Sequence, residues 1–259
     1  MNQLQGKVAL VTGGGRGIGR AIAFELAQVG CDVVVLARTH GEIEQVAAEI
    51  QATGRRSLAI SSDLSDGKAI AHAFADITNV LGPIDILVNN AGVVEPIGSI
   101  QTVDADKWAE AVEINLIGTF RWMRCCIPTM LERGWGRIIN ISTGAATGTG
   151  MENSSAYSAS KAGVEMLTLN VAAELQGKGV TVNAVRPGTV DTAMQTHIRG
   201  LPAEQVGQQI HDFFKSLREQ GKLLEPSQPA RLVANLLQGD STGEIVSIYD
   251  QRGQELLKK

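Results

Sequence analysis

Short unbroken apolar runs alternate along this chain with longer stretches whose apolar residues recur at helical spacing. The runs at 7–12 (KVALVT), 32–37 (DVVVLA), 57–60 (SLAI) and 84–89 (IDILVN) are rich in Val, Ile and Leu. That is the pattern of parallel strands buried on both faces, where neither side of the pleat meets water. Further runs at 137–142 (RIINIS), 180–185 (VTVNAV) and 244–249 (EIVSIY) bring the expected strands to seven. Amphipathic periodicity between them predicts helices over 18–29, 42–53, 68–80, 105–133, 155–176, 203–220 and 228–238. This alternation predicts an α/β fold: a doubly wound, seven-stranded, mostly parallel sheet with helices on both faces.

No linker, repeat or low-complexity tract divides the chain, so residues 1–259 read as one domain. The stretch 187–202 lacks clear periodicity and leads into a polar helix. A substrate loop is therefore expected at about 188–220, because ligands bind such sheets at the C-terminal strand edge. A net charge of −4 and an aromatic share of 4% deny a nucleic-acid partner its electrostatic attraction and its stacking platforms. Cys31, Cys125 and Cys126 lack metal-ligand spacing, as do His40, His72, His197 and His211, so no metal is expected. Residues 1–6 are polar and run straight into a strand, which argues against a secretory leader. No apolar run reaches the ~18 residues of a membrane span, so no membrane partner is expected and the cytoplasm is the default.

The first strand is followed by Thr12-Gly13-Gly14-Gly15-Arg16-Gly17-Ile18-Gly19, which opens the first helix. Glycines permit positive φ and close backbone approach, and a helix N-terminus offers free N–H groups to a pyrophosphate. Strand, glycine turn and helix together predict a Rossmann-type dinucleotide site using Gly13, Gly15, Arg16, Gly17, Ile18 and Gly19. The second strand ends Leu36-Ala37-Arg38-Thr39, without the carboxylate that would bind the ribose 2′-hydroxyl of NAD. Arg38, helped by Arg16, suits a 2′-phosphate instead, so NADP(H) is favoured over NAD(H).

Tyr157 and Lys161 stand four residues apart and so share one helical face. A nearby ammonium and a cationic nicotinamide would both favour the phenolate, fitting Tyr157 for general acid/base work. With Thr12–Gly19 (residues 12–19), Asp63, Asn89-Asn90-Ala91-Gly92, Asn115, Asn183 and Pro187-Gly188-Thr189-Val190-Asp191-Thr192, this pair makes a longer pattern. Over nearly its whole length the chain resembles the classical short-chain dehydrogenase/reductase family. The resemblance implies that Asp63, with Leu64 beside it, meets the adenine, and that Asn90, Ala91 and Gly92 line its ribose. It implies that Asn115 distorts its helix and holds a water that links Lys161 to solvent. Lys161 should also bind the nicotinamide ribose, while Pro187, Gly188, Val190 and Thr192 hold the carboxamide and pyrophosphate.

The chain departs from that family at two places. The family's serine, thirteen residues before the tyrosine, would fall on Gly144, which has no hydroxyl. Thr143 or Ser142 must take its part, Thr143 fitting better if the following loop carries one extra residue. The C-terminal strand runs on as Ser247-Ile248-Tyr249-Asp250 rather than the family's Val-Asp-Gly-Gly. A homodimer or homotetramer built from helices 105–133 and 155–176 is still expected. The resulting reading is an NADP(H)-dependent reductase of a small carbonyl, or the reverse reaction on a small alcohol. The alternatives are an NAD-dependent alcohol dehydrogenase working oxidatively and a non-enzymatic dinucleotide-binding regulator.

Overall fold

The computed structural model describes residues 3–148 and 150–258. Met1 and Asn2 of the polar start, Thr149 and Lys259 lie outside the described residues. In chain order the first half contains β1 (Val8–Thr12), α1 (Gly17–Gln28), β2 (Asp32–Ala37), α2 (His40–Gln51), β3 (Ser57–Ser61), α3 (Gly67–Leu81), β4 (Ile86–Asn89), α4 (Ala105–Val112) and α5 (Gly118–Glu132). The second half contains β5 (Gly136–Ile141), α6 (Ser155–Glu174), β6 (Val180–Arg186), α7 (Ala193–Gly200), α8 (Ala203–Val206), α9 (Gln208–Glu219), α10 (Ser227–Leu237), β7 (Ile245–Ser247) and α11 (Gln251–Leu257).

The strands form one sheet in the order β3-β2-β1-β4-β5-β6-β7, and every neighbouring pair is parallel. The fold is therefore the expected doubly wound α/β architecture. Its strand order reverses beside β1, between β2 and β4, which opens a crevice at the C-terminal edge. Alternation along β2 shows why these strands read as unbroken apolar runs. Val33 and Val35 pack with Ile22 and Leu26 of α1 and Leu232 and Leu236 of α10, while Val34 and Leu36 pack with Ile70 and Ile77 of α3 and with Trp122 of α5. Each such buried side chain contributes about 1.5–3 kcal/mol, so both faces of the sheet hold their helices tightly.

Four expected boundaries move, each for a local reason. The single helix expected over 105–133 is interrupted by a π-helical turn at Glu113–Ile117. The helix expected over 203–220 breaks at Gly207, whose φ of +95° takes it out of helical backbone. The irregular stretch 187–202 contains α7, whose first turn is capped by Thr192 Oγ1 accepting from Gln195 N–H at 3.3 Å. The last strand is three residues long rather than six because the chain turns at Asp250 into α11. Asp250 accepts from Ser247 N–H and from Gly253 N–H, each at 2.7 Å, and so ends the strand and starts the helix. No helix among the described residues is long and apolar enough to cross a membrane.

Candidate active site

A cleft of about 930 Å³ runs along the C-terminal edge of the sheet, lined by residues that follow each of β1 to β6. Its size falls at the upper end of small-molecule sites, roughly 300–1,000 Å³. One wall is the glycine turn. Gly13 has φ +64°, and a Cβ there would stand 2.9 Å from Ala91 Cα. A Cβ on Gly19 would lie 2.2 Å from the Gly13 carbonyl oxygen, so neither position admits a larger residue without moving backbone. Thr12 and Asn90 stitch the turn to the end of β4. Asn90 Nδ2 donates to the Thr12 carbonyl at 2.9 Å, and the N–H groups of Asn90 and Ala91 donate to Thr12 Oγ1 at 3.0 and 3.1 Å.

Asp66, Asp104 and Thr192 cap α3, α4 and α7, but no side chain caps α1. An uncapped N-terminus facing a cleft is a ready anion site. Arg38, exposed at the end of β2, lines the cleft and forms no salt bridge among the described residues. Arg16 leans toward Glu42 at 3.8 Å across an open surface. Asp63 accepts from the Ser65 N–H and hydroxyl, at 2.9 and 2.8 Å. Those bonds, chiefly the backbone one, together with the charge of Arg38, hold its carboxyl below the usual range. Shape, donors and charge at this end fit a dinucleotide.

The other end is built on α6. Lys161 is buried, and its Nζ donates to the Ile141 carbonyl at 2.7 Å. Burial alone lowers its pKa to about 8. Burial also raises the Tyr157 phenol, and a hydrogen bond from Thr143 pulls it partly back. In the protein by itself, desolvation therefore outweighs the depression expected from the neighbouring ammonium. Gly92 leaves the gap in which Asn115 and Lys161 converge, since a Cβ there would meet Asn115 Oδ1 at 3.1 Å and Lys161 Nζ at 3.4 Å. Asn115 sits in the π-helical turn and grips the strand end through Val93, accepting from its N–H at 2.8 Å and donating to its carbonyl at 2.9 Å. Its own carbonyl accepts from the Thr119 hydroxyl at 2.9 Å.

Ser142 and Thr143 are separated by their partners. The Ser142 hydroxyl donates to Glu165 Oε1 at 2.6 Å, and Arg186 grips the same carboxylate through Nε and Nη2, both at 2.7 Å. The Thr143 hydroxyl instead accepts from the Ala145 N–H at 3.3 Å and lies near enough to Tyr157 to lower its phenol, although Ser142 and not Thr143 lines the cleft. The loop after β6 roofs the cleft: the Thr192 methyl lies 3.3 Å from the place a Cβ on Gly17 would occupy, and Pro187 also lines the cavity. Gly188 and Val190 do not line it. Gly188 is wedged against Ile248, Leu224 and Tyr249, and Val190 bridges to Leu224.

The Glu165–Arg186 pair was missed in the sequence, although Tyr157, Lys161 and Glu165 recur at four-residue spacing on one helical face. Also missed was the contact of His197 Nε2 with Glu95 Oε1 at 2.6 Å, which ties α7 to the loop after β4.

Residues 7–201 match the short chain dehydrogenase family, and the chain belongs to it. Members of this family are oxidoreductases that bind a nicotinamide cofactor. The chain is 36% identical to a 3-oxoacyl-(acyl-carrier-protein) reductase of Aquifex aeolicus over 252 residues, 95% of this chain and 97% of that one. It is 34% identical to 2,3-dihydro-2,3-dihydroxybenzoate dehydrogenase of Bacillus subtilis over 240 residues, 92% and 91% of the two chains. Among solved structures, a variant of actinorhodin polyketide ketoreductase with NADPH superposes with a TM-score of 0.86 at 33% identity, covering 96% of this chain and 97% of that one. A xylitol dehydrogenase with bound NAD+ reaches 0.86 at 27% identity, covering 95% and 98%. Since one neighbour holds each nucleotide, the fold by itself does not choose between them.

Proposed function

We propose that this protein is an NADP(H)-dependent oxidoreductase that interconverts a small carbonyl compound and its alcohol. The observation that carries the reading is one cleft with an uncapped glycine turn and Arg38, which forms no salt bridge among the described residues, at one end, and at the other a half-buried Tyr157 with Thr143 near enough to lower its phenol. Gly13, Gly15, Gly17, Ile18 and Gly19 would hold the pyrophosphate, and Arg38 with Arg16 the 2′-phosphate. Asp63 and Leu64 would meet the adenine, and Asn90, Ala91 and Gly92 its ribose. Lys161 would bind the nicotinamide ribose, with Pro187 and Thr192 at the carboxamide, while Gly188 and Val190, packed behind the cleft, would hold that loop in place. When bound, the nicotinamide supplies or accepts hydride at C4.

The chain's own residues do the rest. Thr143 and Tyr157 hold the substrate oxygen, and Tyr157 Oη gives it a proton during reduction or removes one during oxidation. Keeping the phenol protonated, as burial does, suits the reductive direction at neutral pH. Asn115 holds the Val93 backbone beside Lys161, in place to steady a proton path from the ammonium to solvent. Ser142, whose hydroxyl is committed to Glu165, acts as a strut. The same reading includes a homodimer or homotetramer, supported by Phe120 on α5 and Met166 on α6, large apolar side chains left exposed on the expected interface helices.

The test is a titration with NADPH and NADH followed by nucleotide fluorescence, on the natural protein and on Arg38→Asp. The expected result is tight NADPH binding that weakens in the variant, followed by NADPH consumption with neutral ketones. Equal or better binding of NADH by the natural protein would overturn the Arg38 assignment. Binding of neither nucleotide would overturn the enzymatic reading.

A further inference from the structure

The two ends of the cleft differ in what they leave free. At the dinucleotide end, Arg38 forms no salt bridge among the described residues and no side chain caps α1. At the substrate end the polar side chains of the lining, Tyr157 apart, already have partners. Ser142 donates to Glu165. His197 is joined to Glu95, whose second oxygen accepts from the Ile97 N–H at 2.8 Å. Asp191 is held by Arg218 at 2.6 Å and by Arg199 at 3.6 Å. Arg199 and His197 are therefore not free to attract an anionic substrate.

The surfaces between these pairs are Val93, Val94 and Met194. Val94 also belongs to a buried cluster with Ile97, Ile198 and Val206, on which Tyr157, Met194 and Phe214 pack. This cluster joins the inner face of helices α7 to α9 to the ring of Tyr157. With Lys161 assigned to the ribose, Tyr157 and Thr143 are the side-chain hydroxyls left for a substrate among the described residues.

We propose that the substrate is a neutral ketone or secondary alcohol with apolar groups on both sides of the reacting carbon, and that polyols and carboxylates are rejected. The proposal rests on the reductase reading above and adds the substrate class. A hydroxyl carried against Val94 or Met194 gives up water and finds no partner, which costs about tenfold to a hundredfold in binding per group. A carboxylate additionally faces Glu95 and Asp191, whose cations are engaged. An apolar group in the same place gains by leaving water.

The experiment compares matched pairs: hexan-2-one against fructose, and ethyl 3-oxobutanoate against 3-oxobutanoate. With NADPH, and with fructose counted by its small open-chain keto fraction alone, kcat/KM is expected to favour hexan-2-one over the ketose by at least about a hundredfold, and the ester over the acid by at least about tenfold. In Met194→Gln, nearly isosteric but polar, the first ratio should fall several-fold. Equal rates, or a preference for fructose or the free acid, would overturn the proposal. Saturation-transfer NMR on the protein loaded with NADP+, where no hydride can pass to a ketone, reads the same preference without turnover. Hexan-2-one and the ester binding ahead of their partners there, with no turnover of any probe, would sink the reductase reading and leave the pocket's selectivity standing. Fructose or 3-oxobutanoate binding as well or better in that measurement would sink the selectivity itself.

Discussion

Replacing Glu165 by Gln tests whether the buried pair beneath the catalytic strand ends bears load. The Glu165 carboxylate takes three short bonds, one from Ser142 and two from Arg186, and its side chain is 8% exposed against 22% for the guanidinium. Glutamine is nearly isosteric and can keep one oxygen in place. Its amide nitrogen, however, would face a donor of Arg186, leaving a largely buried cation without its counter-charge. Removing one partner of a buried pair costs roughly 3–5 kcal/mol, and the partial exposure of Arg186 places this case near the lower figure. A loss of about 3 kcal/mol corresponds to a fall in Tm of roughly 6–12 °C for a chain of this size. The double variant Glu165→Met with Arg186→Met removes both charges and should recover most of that loss. Urea unfolding followed by circular dichroism measures all three proteins. A single variant within about 1 kcal/mol of the natural protein would refute the pair's energetic role. Because Ser142 lies between Ile141, which holds Lys161, and Thr143, which holds Tyr157, both variants should also lower kcat more than they change KM.

Tyr157→Phe should lower kcat about 10²–10⁴-fold while NADPH fluorescence titrations stay within a few-fold of the natural protein. Undiminished turnover would remove Tyr157 from the chemistry. Gly19→Ala should abolish nucleotide binding and shift the thermal midpoint, because its new methyl lies 2.2 Å from the Gly13 carbonyl oxygen; an unchanged dissociation constant would show that the turn can yield. Phe120→Glu with Met166→Glu should reduce the mass measured by light scattering if α5 and α6 form the assembly face. Lys161 predicts a pH effect, since burial holds its folded pKa at about 8, below the 10.5 of a lysine in water. The unfolded chain then binds the extra proton between those limits, so the burial penalty is full below pH 8 and fades as pH rises toward 10.5. Relative to Lys161→Met, the natural protein should gain about 3 kcal/mol of unfolding free energy across that window. Parallel pH profiles for the two proteins in urea unfolding would contradict this.

What could be read in the sequence depended on whether local pattern or tertiary partners decide each residue's place. β2 could be read because both of its faces are buried, so its six residues carry an apolar pattern that no turn or exposed helix mimics. Tyr157 and Lys161 could be read as a pair because helical spacing alone puts them on one face. By contrast, α7 exists because Thr192 caps it, α11 because Asp250 turns the chain, and the π-helical turn because Asn115 bonds across to Val93 and Ser160. None of those partners lies at a distance that periodicity samples, apart from the caps, which are single residues among many similar ones. The choice between Ser142 and Thr143 shows the limit most sharply. Counting residues back from Tyr157 leaves both open, since a loop may gain a residue without any trace in the pattern. Beyond the last paired residue of β5, successive side chains still point to opposite sides. Ser142 is thus delivered to Glu165, and Thr143 to the opposite side, where its proposed role with Tyr157 requires it. The carboxylate that engages Ser142 sits one helical turn past Lys161, where the sequence looks like an ordinary surface glutamate and the fold makes it a buried one.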